Sequence, residues 1–180
     1  SEIGHAEDKD TQTGLGALTT CYHWTLDNVW VISDGLPTAG LLLEGGNMGI
    51  SRDCVFAGCV NGIVFAYSST NGPADIEFHN TRFYNNVTAD IASSASATTL
   101  TAGGNLTALD SVNFYRPMFL DRGGTPVTNY VNIAATTVTN CGLYDFYAAR
   151  DVADGTLMQL PIDMIALGHS PGGLESIVGA

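Results

Sequence analysis

One pattern, recurring at intervals near 25 residues, limits what this chain can fold into. It is an alternating apolar segment, a bend residue and an apolar anchor three positions later. The clearest copy is IEFHNTRF at 76–83, where Ile76 and Phe78 point to one side of a strand and Glu77 and His79 to the other. Asn80 then breaks the alternation and Phe83 returns as the anchor. WTLDNVWV (24–31) repeats it with Trp24, Leu26, Asn28 and Val31. GISRDCVF (49–56) keeps Asp53 and Phe56, TALDSVNF (107–114) supplies Leu109, Ser111 and Phe114, and VNIAATTV (131–138) supplies Val131, Ile133, Ala135 and Val138. The anchors are then Val31, Phe56, Phe83, Phe114 and Val138, at spacings of 25, 27, 31 and 24 residues.

The agreement continues past each anchor. Gly58-Cys59, Asn85-Asn86 and Asn140-Cys141 are read as equivalent bends, followed by the apolar segments GIVFAY (62–67), ADIAS (89–93) and GLYDFYA (142–148). Loops rich in Ser, Thr, Gly and Pro close each unit: 68–74, 93–104 and 121–129. A unit of this size cannot bury its apolar face alone; stacking on neighbours above and below does so and also satisfies its backbone. The period and the bend asparagines resemble the right-handed parallel β-helix, over roughly residues 24–148. The expected fold is all-β, a solenoid of about five rungs, with a two-sheet β-sandwich as the alternative. Residues 1–20 read as an acidic arm without strand signal, 21–148 as the repeats, and 149–180 as a segment that caps the last rung or docks on a partner.

Composition narrows the partners. Acids outnumber Lys and Arg by 18 to 6, for a formal charge of −12, and Lys9 is the single lysine. Such a surface repels phosphate backbones and anionic membranes, so no nucleic acid and no membrane is expected as partner. No apolar run reaches the roughly 18 residues of a span, and SEIGHAEDKD does not read as a signal peptide. The four cysteines (Cys21, Cys54, Cys59, Cys141) form no CxxC pair and read as buried free thiols, Cys59 and Cys141 at bend positions. The His spacing matches no metal motif, so neither a metal nor a cofactor is expected.

Acid–base chemistry on a solenoid needs carboxylates on neighbouring rungs of one exposed face. Asp27 and Glu77 are read as occupying the same outward position two rungs apart, and His79 lies on the outward parity as a general-base candidate. No rung offers a DD or DxD pair, and solvent-facing acids are expected on a chain of this charge. Exposed aromatics (Trp30, Tyr67, Tyr84, Tyr144, Tyr147) would line a sugar-binding face or stack along a flank.

The resemblance implies function in two ways. Long β-helices resemble polysaccharide lyases, hydrolases and phage tailspikes. Short ones look like phage virion parts: capsid decoration proteins, head spikes and tail-spike modules that form trimers. Five rungs fit the second group. The expectation is a non-enzymatic structural protein of a virion surface, a homo-oligomer of trimeric type, that contacts phage capsid or tail proteins. The alternative is a β-helix that binds or cleaves a surface glycan, with Asp27, Glu77 and His79 as its site.

Overall fold

The computed structural model describes residues 17–19, 23–33, 38–45, 47–66, 72–96, 99–121 and 126–179. The chain winds in successive turns. The first turn holds β1 (Ala17–Thr19), β2 (Thr25–Asp27) and β3 (Trp30–Ile32). The second holds β4 (Ala39–Glu44), β5 (Asn47–Arg52) and β6 (Val55–Ala57), and the third β7 (Asn61–Ala66), β8 (Ala74–His79) and β9 (Arg82–Tyr84). The fourth is β10 (Ala89–Ser94), β11 (Asn105–Tyr115) and β12 (Met118–Leu120). Then come β13 (Asn129–Asn132), β14 (Ala134–Thr139) and β15 (Gly142–Ala148), and last β16 (Met158–Gln159), β17 (Ile165–Ser170) and β18 (Gly173–Val178).

Two sheets result. The smaller runs β1-β4-β7-β10-β13-β16, and the larger carries β2-β5-β8-β11-β15-β17 beside β3-β6-β9-β12-β15. Every pairing is parallel except β17–β18. Strands that alternate between two sheets and pair in parallel one turn apart make a β-helix. A sandwich joins successive strands by antiparallel hairpins, so that alternative is excluded.

Inside the coil, equivalent side chains stack. Phe78 lies on Phe114 with centroids 4.4 Å apart and planes 7° from parallel, and Phe83 lies on Phe119 at 5.5 Å and 9°. Trp24 sits one turn below Gly49, and a Cβ on that glycine would fall 2.0 Å from the indole. The missing side chain is what admits the ring. The smaller sheet is buried on both faces, since Leu42, Val64 and Ala92 on its outer side meet Leu100 and Ala102 of the loop after β10. Its strands therefore read as unbroken apolar runs rather than alternating ones.

The bends stack as well. Asn28, Asp53, Asn80, Arg116 and Asp145 all adopt positive φ, between 53 and 56°. Each of the first four donates its N–H to the carbonyl just before the equivalent bend one turn on: Arg52 (2.9 Å), His79 (2.9 Å), Tyr115 (2.9 Å) and Tyr144 (2.7 Å). Asn80 Nδ2 also donates to Asp53 Oδ1 at 2.9 Å. Asn and Asp tolerate the left-handed region better than other L-residues. Arg116 is the one member of the column that is neither. Arg116→Asn is expected to raise stability by about 1 kcal/mol, a gain of roughly 2–4 °C in thermal midpoint for a domain of this size.

A second column of positive φ precedes the first: His23, Met48, Asp75, Ser111, Asn140 and Asp163. It corrects the later repeats. Spacings of 25 and 27 hold, with Val31, Phe56 and Phe83 in one column. Phe114, however, pairs with Phe78, and the partner of Phe83 is Phe119, which pairs in turn with Ala148. The last two spacings are therefore 36 and 29. Val138 pairs with Leu109, and Asn140-Cys141 lies at the bend of Ser111-Val112. GLYDFYA belongs to the larger sheet, and β13 takes the place expected for it. The physical reason is that one turn contains several strand–bend–strand units, each with a polar bend and an apolar anchor, so a self-comparison can slip by one bend.

The ends differ from expectation in detail. Ala17–Thr19 forms a strand in register with Leu42–Glu44, while residues 1–16 lie outside the described residues. Beyond residue 148, β16 extends the smaller sheet and β17 the larger, and β18 folds back on β17. Arg150 fastens this segment to the coil: its Nε meets Asp121 Oδ2 at 2.7 Å, and its guanidinium donates to the Val127 carbonyl at 2.7 Å.

Candidate functional site

The outward residues of the larger sheet carry the sequence candidates, and register decides which of them meet. Asp27 pairs with Arg52, and Arg52 with His79. Glu77 stands in the neighbouring outward column, between Ile50 below and Asn113 above. Asp27 and Glu77 therefore do not share a position. They lie two turns apart, about 10 Å along the axis at parallel-strand spacing, in different columns with Arg52 between. The carboxylate pair expected from the sequence is not formed, because Asp27 follows Leu26 as His79 follows Phe78.

Glu77 and His79 do meet. Two positions apart on β8, they point to the same side, and His79 Nε2 lies 2.9 Å from Glu77 Oε2 with both side chains partly exposed. The imidazole stacks on Tyr115 (4.9 Å, 20°), and Tyr115 on Tyr144 (5.5 Å, 21°). The Tyr115 hydroxyl titrates above its ordinary range, first through desolvation and then through the negative charge of Glu77 and the proximity of Tyr144. Rings stacked face to face hide those faces from solvent and offer their edges. A sugar needs an exposed ring face to lie on, so this ladder is not a stacking platform for one.

Beside the dyad runs a shallow groove of about 420 Å³, lined by His23, Met48, Ile50, Asp75, Glu77 and Asn113 among others. An inverting pair requires two carboxyls roughly 6.5–9.5 Å apart across the scissile bond. Asp75 and Glu77 share this groove, but both come from β8 rather than from neighbouring turns. No described group of three or more His, Cys, Asp or Glu side chains is placed to hold a metal ion. The thiols are no better placed for chemistry: Cys54, Cys59 and Cys141 are buried and free, and Cys21 lies outside the described residues. Burial pushes the Cys59 thiol up to about 11 and raises Cys141, which keeps both protonated and unreactive at neutral pH. Cys59 does occupy the Asn86 bend position, its N–H donating to Asn86 Oδ1 at 3.0 Å.

The flank made by β3, β6, β9 and β12 is of another kind. Its outward residues are Trp30, Ile32, Val55, Ala57, Arg82, Tyr84, Met118 and Leu120, in two columns. Trp30 is 62% exposed and Ile32 68%. With Val55, Ala57, Tyr84 and Arg82 they line a groove of about 350 Å³. These eight outward positions hold no acid, on a chain with 18 of them. From the sequence alone, only Trp30 and Tyr84 of this surface stand out, as exposed aromatics. Its signal was the pairing of short strands WVI, VFA and RFY, each with a buried central residue; WVI and RFY alternate cleanly, while Val55 of VFA is also buried, at the floor of the groove. Of the aromatics expected to share one face, Trp30 and Tyr84 lie here, Tyr147 pairs with Met118, Tyr144 belongs to the other ladder, and Tyr67 lies outside the described residues.

No protein-family model, no curated protein and no solved structure matches the chain. The class is set by the fold itself: a parallel β-helix protein with one polar outer face and one apolar, acid-free flank.

Proposed function

We propose that this chain is a non-enzymatic structural protein that attaches to a larger assembly through its apolar flank, of the kind that decorates or spikes a phage capsid. The observation that carries this reading is the Trp30–Ile32 flank. Large side chains so exposed, contiguous and free of carboxylates are a binding surface rather than an ordinary solvent face. Trp and Tyr beside Arg82 are also the residue types that anchor protein interfaces. The virion assignment rests further on the resemblance of the solenoid to phage β-helices. A glycan-active β-helix is the second reading, favoured by the Glu77–His79 contact beside its groove.

Deleting residues 149–180 is not a clean test, because β16 and β17 cover the coil and Arg150 anchors it. Surface substitutions are. Trp30→Asp with Ile32→Asp is expected to weaken attachment to purified particles by 100-fold or more, as loss of two central anchors does, while circular dichroism stays unchanged. Glu77→Gln should leave attachment intact. Attachment that survives the aspartate pair overturns the flank assignment. Reducing-sugar release from a glycan panel that Glu77→Gln abolishes establishes the second reading instead.

A further inference from the structure

The last strand poses a problem that the rest of the fold solves by stacking. β18 pairs with β17 on one side, and no described strand pairs with its other edge. An open edge is a template for another strand, and proteins guard it with lysine, proline, a bulge, an outward charge or a covering segment. GLESIV holds no lysine, no proline and no outward charge, and its register with β17 shows no bulge. Its one charged residue, Glu175, is 9% exposed, faces inward and accepts the Ser170 hydroxyl at 2.7 Å. Its outward residues are Leu174 (78% exposed), Ser176 and Val178 (62%), beside Ile165 and Leu167 of β17.

We propose that β18 is a self-association edge, on which a second copy of this chain adds its own β18 across a two-fold axis to form an end-to-end dimer. Three features select a second copy. An antiparallel edge strand is self-complementary under a two-fold perpendicular to the sheet, so one strand supplies both halves of the contact. The axis keeps outward faces on one side, and the Leu174 and Val178 of both copies merge with Ile165 and Leu167 into one strip, apolar except at Ser176 and His169. Finally, the outward positions of the β17–β18 hairpin hold no carboxylate, so no acid opposes another on the outer side of the seam, and the inward Glu175 is held by the Ser170 hydroxyl. This dimer uses the coil end and is independent of the flank proposed above for attachment.

Light scattering after size exclusion, over a dilution series of the 180-residue chain, tests the proposal. The expected mass is twice 18.9 kDa, falling toward one chain on dilution. Leu174→Lys with Val178→Lys restores the usual edge guard at two exposed positions. It should weaken the dimer by about 100-fold or more without changing the circular dichroism. Amide exchange supplies a second readout on the unaltered chain: β18 amides should be protected at high concentration and exchange on dilution, while those of β8 do not change. A single-chain mass at every concentration overturns the proposal. So does any dimer or trimer that the lysine pair leaves intact, and an assembly lost with Trp30→Asp alone places self-association on the flank instead.

Discussion

Phe114→Ala is expected to lower the stability of this chain by about 3–5 kcal/mol, the range for truncating a fully buried phenylalanine. Phe114 is wholly buried and holds Phe78 on one face at 4.4 Å while Phe65 meets its edge at 6.2 Å. The coil continues above and below, so the surrounding rings cannot collapse into the space without shifting the stack. The informative part is the coupling. A double-mutant cycle of Phe78→Ala with Phe114→Ala should give an interaction energy of about 1 kcal/mol or more, as side chains in contact do. Phe83→Ala with Phe114→Ala should be additive to within about 0.5 kcal/mol, since Phe83 stacks on Phe56 and Phe119. Urea unfolding followed by circular dichroism measures all three.

Asp90→Asn is expected to do the opposite and stabilise the protein at neutral pH, by about 1–3 kcal/mol, the scale of a buried polar group left short of partners. Asp90 is buried in β10, where Asn86 Nδ2 donates to its Oδ1 at 2.8 Å, and Asn86 is itself held by the Cys59 N–H and the Phe56 carbonyl. Desolvation raises its carboxyl well above the ordinary range; the Asn86 bond opposes this, the negative charge of Asp121 adds to it and Arg150 offsets part. The folded state therefore favours the protonated acid. Its contribution is complete below the unfolded value of about 3.9 and is lost as pH rises through the higher folded value. Wild type should lose stability over that window on going from acid to neutral pH, and Asp90→Asn should not. The two curves should converge in acid. Thermal midpoints between pH 3 and pH 8 measure the difference, and curves that stay parallel would show that Asp90 is ionised in the fold.

Much of the architecture was legible because its causes are local. IEFHNTRF shows period two, a residue tolerant of positive φ and a single anchor, and each of these dictates the backbone without distant information. The anchors of the first three turns, Val31, Phe56 and Phe83, accordingly share one column. The fourth and fifth slipped because Ser111-Val112 and Asn140-Cys141 present the same chemistry as the bend at Asn80, and no local cue says which bend of the turn is which. The long loop before Asn105 removes the spacing that would have decided it. The site was less legible for a related reason. Whether Asp27 faces Glu77 depends on a shift of two residues across two turns, and the contact formed instead, between Glu77 and His79, is within one strand. Of the apolar flank only Trp30 and Tyr84 stand out in the sequence, because its residues are spread over β3, β6, β9 and β12, two to each, and become a surface only when the turns stack.

Register is therefore what everything else rests on: the stacked rings, the separation of Asp27 from Glu77, and the acid-free flank. Nuclear Overhauser contacts between assigned aromatic rings and backbone protons test it directly. The account predicts contacts linking Phe78 with Phe114 and Phe83 with Phe119, together with the sequential-turn pattern of parallel strands between β8 and β11. Contacts between Phe83 and Phe114, or close Hα–Hα pairs of antiparallel strands between β8 and β11, would contradict it.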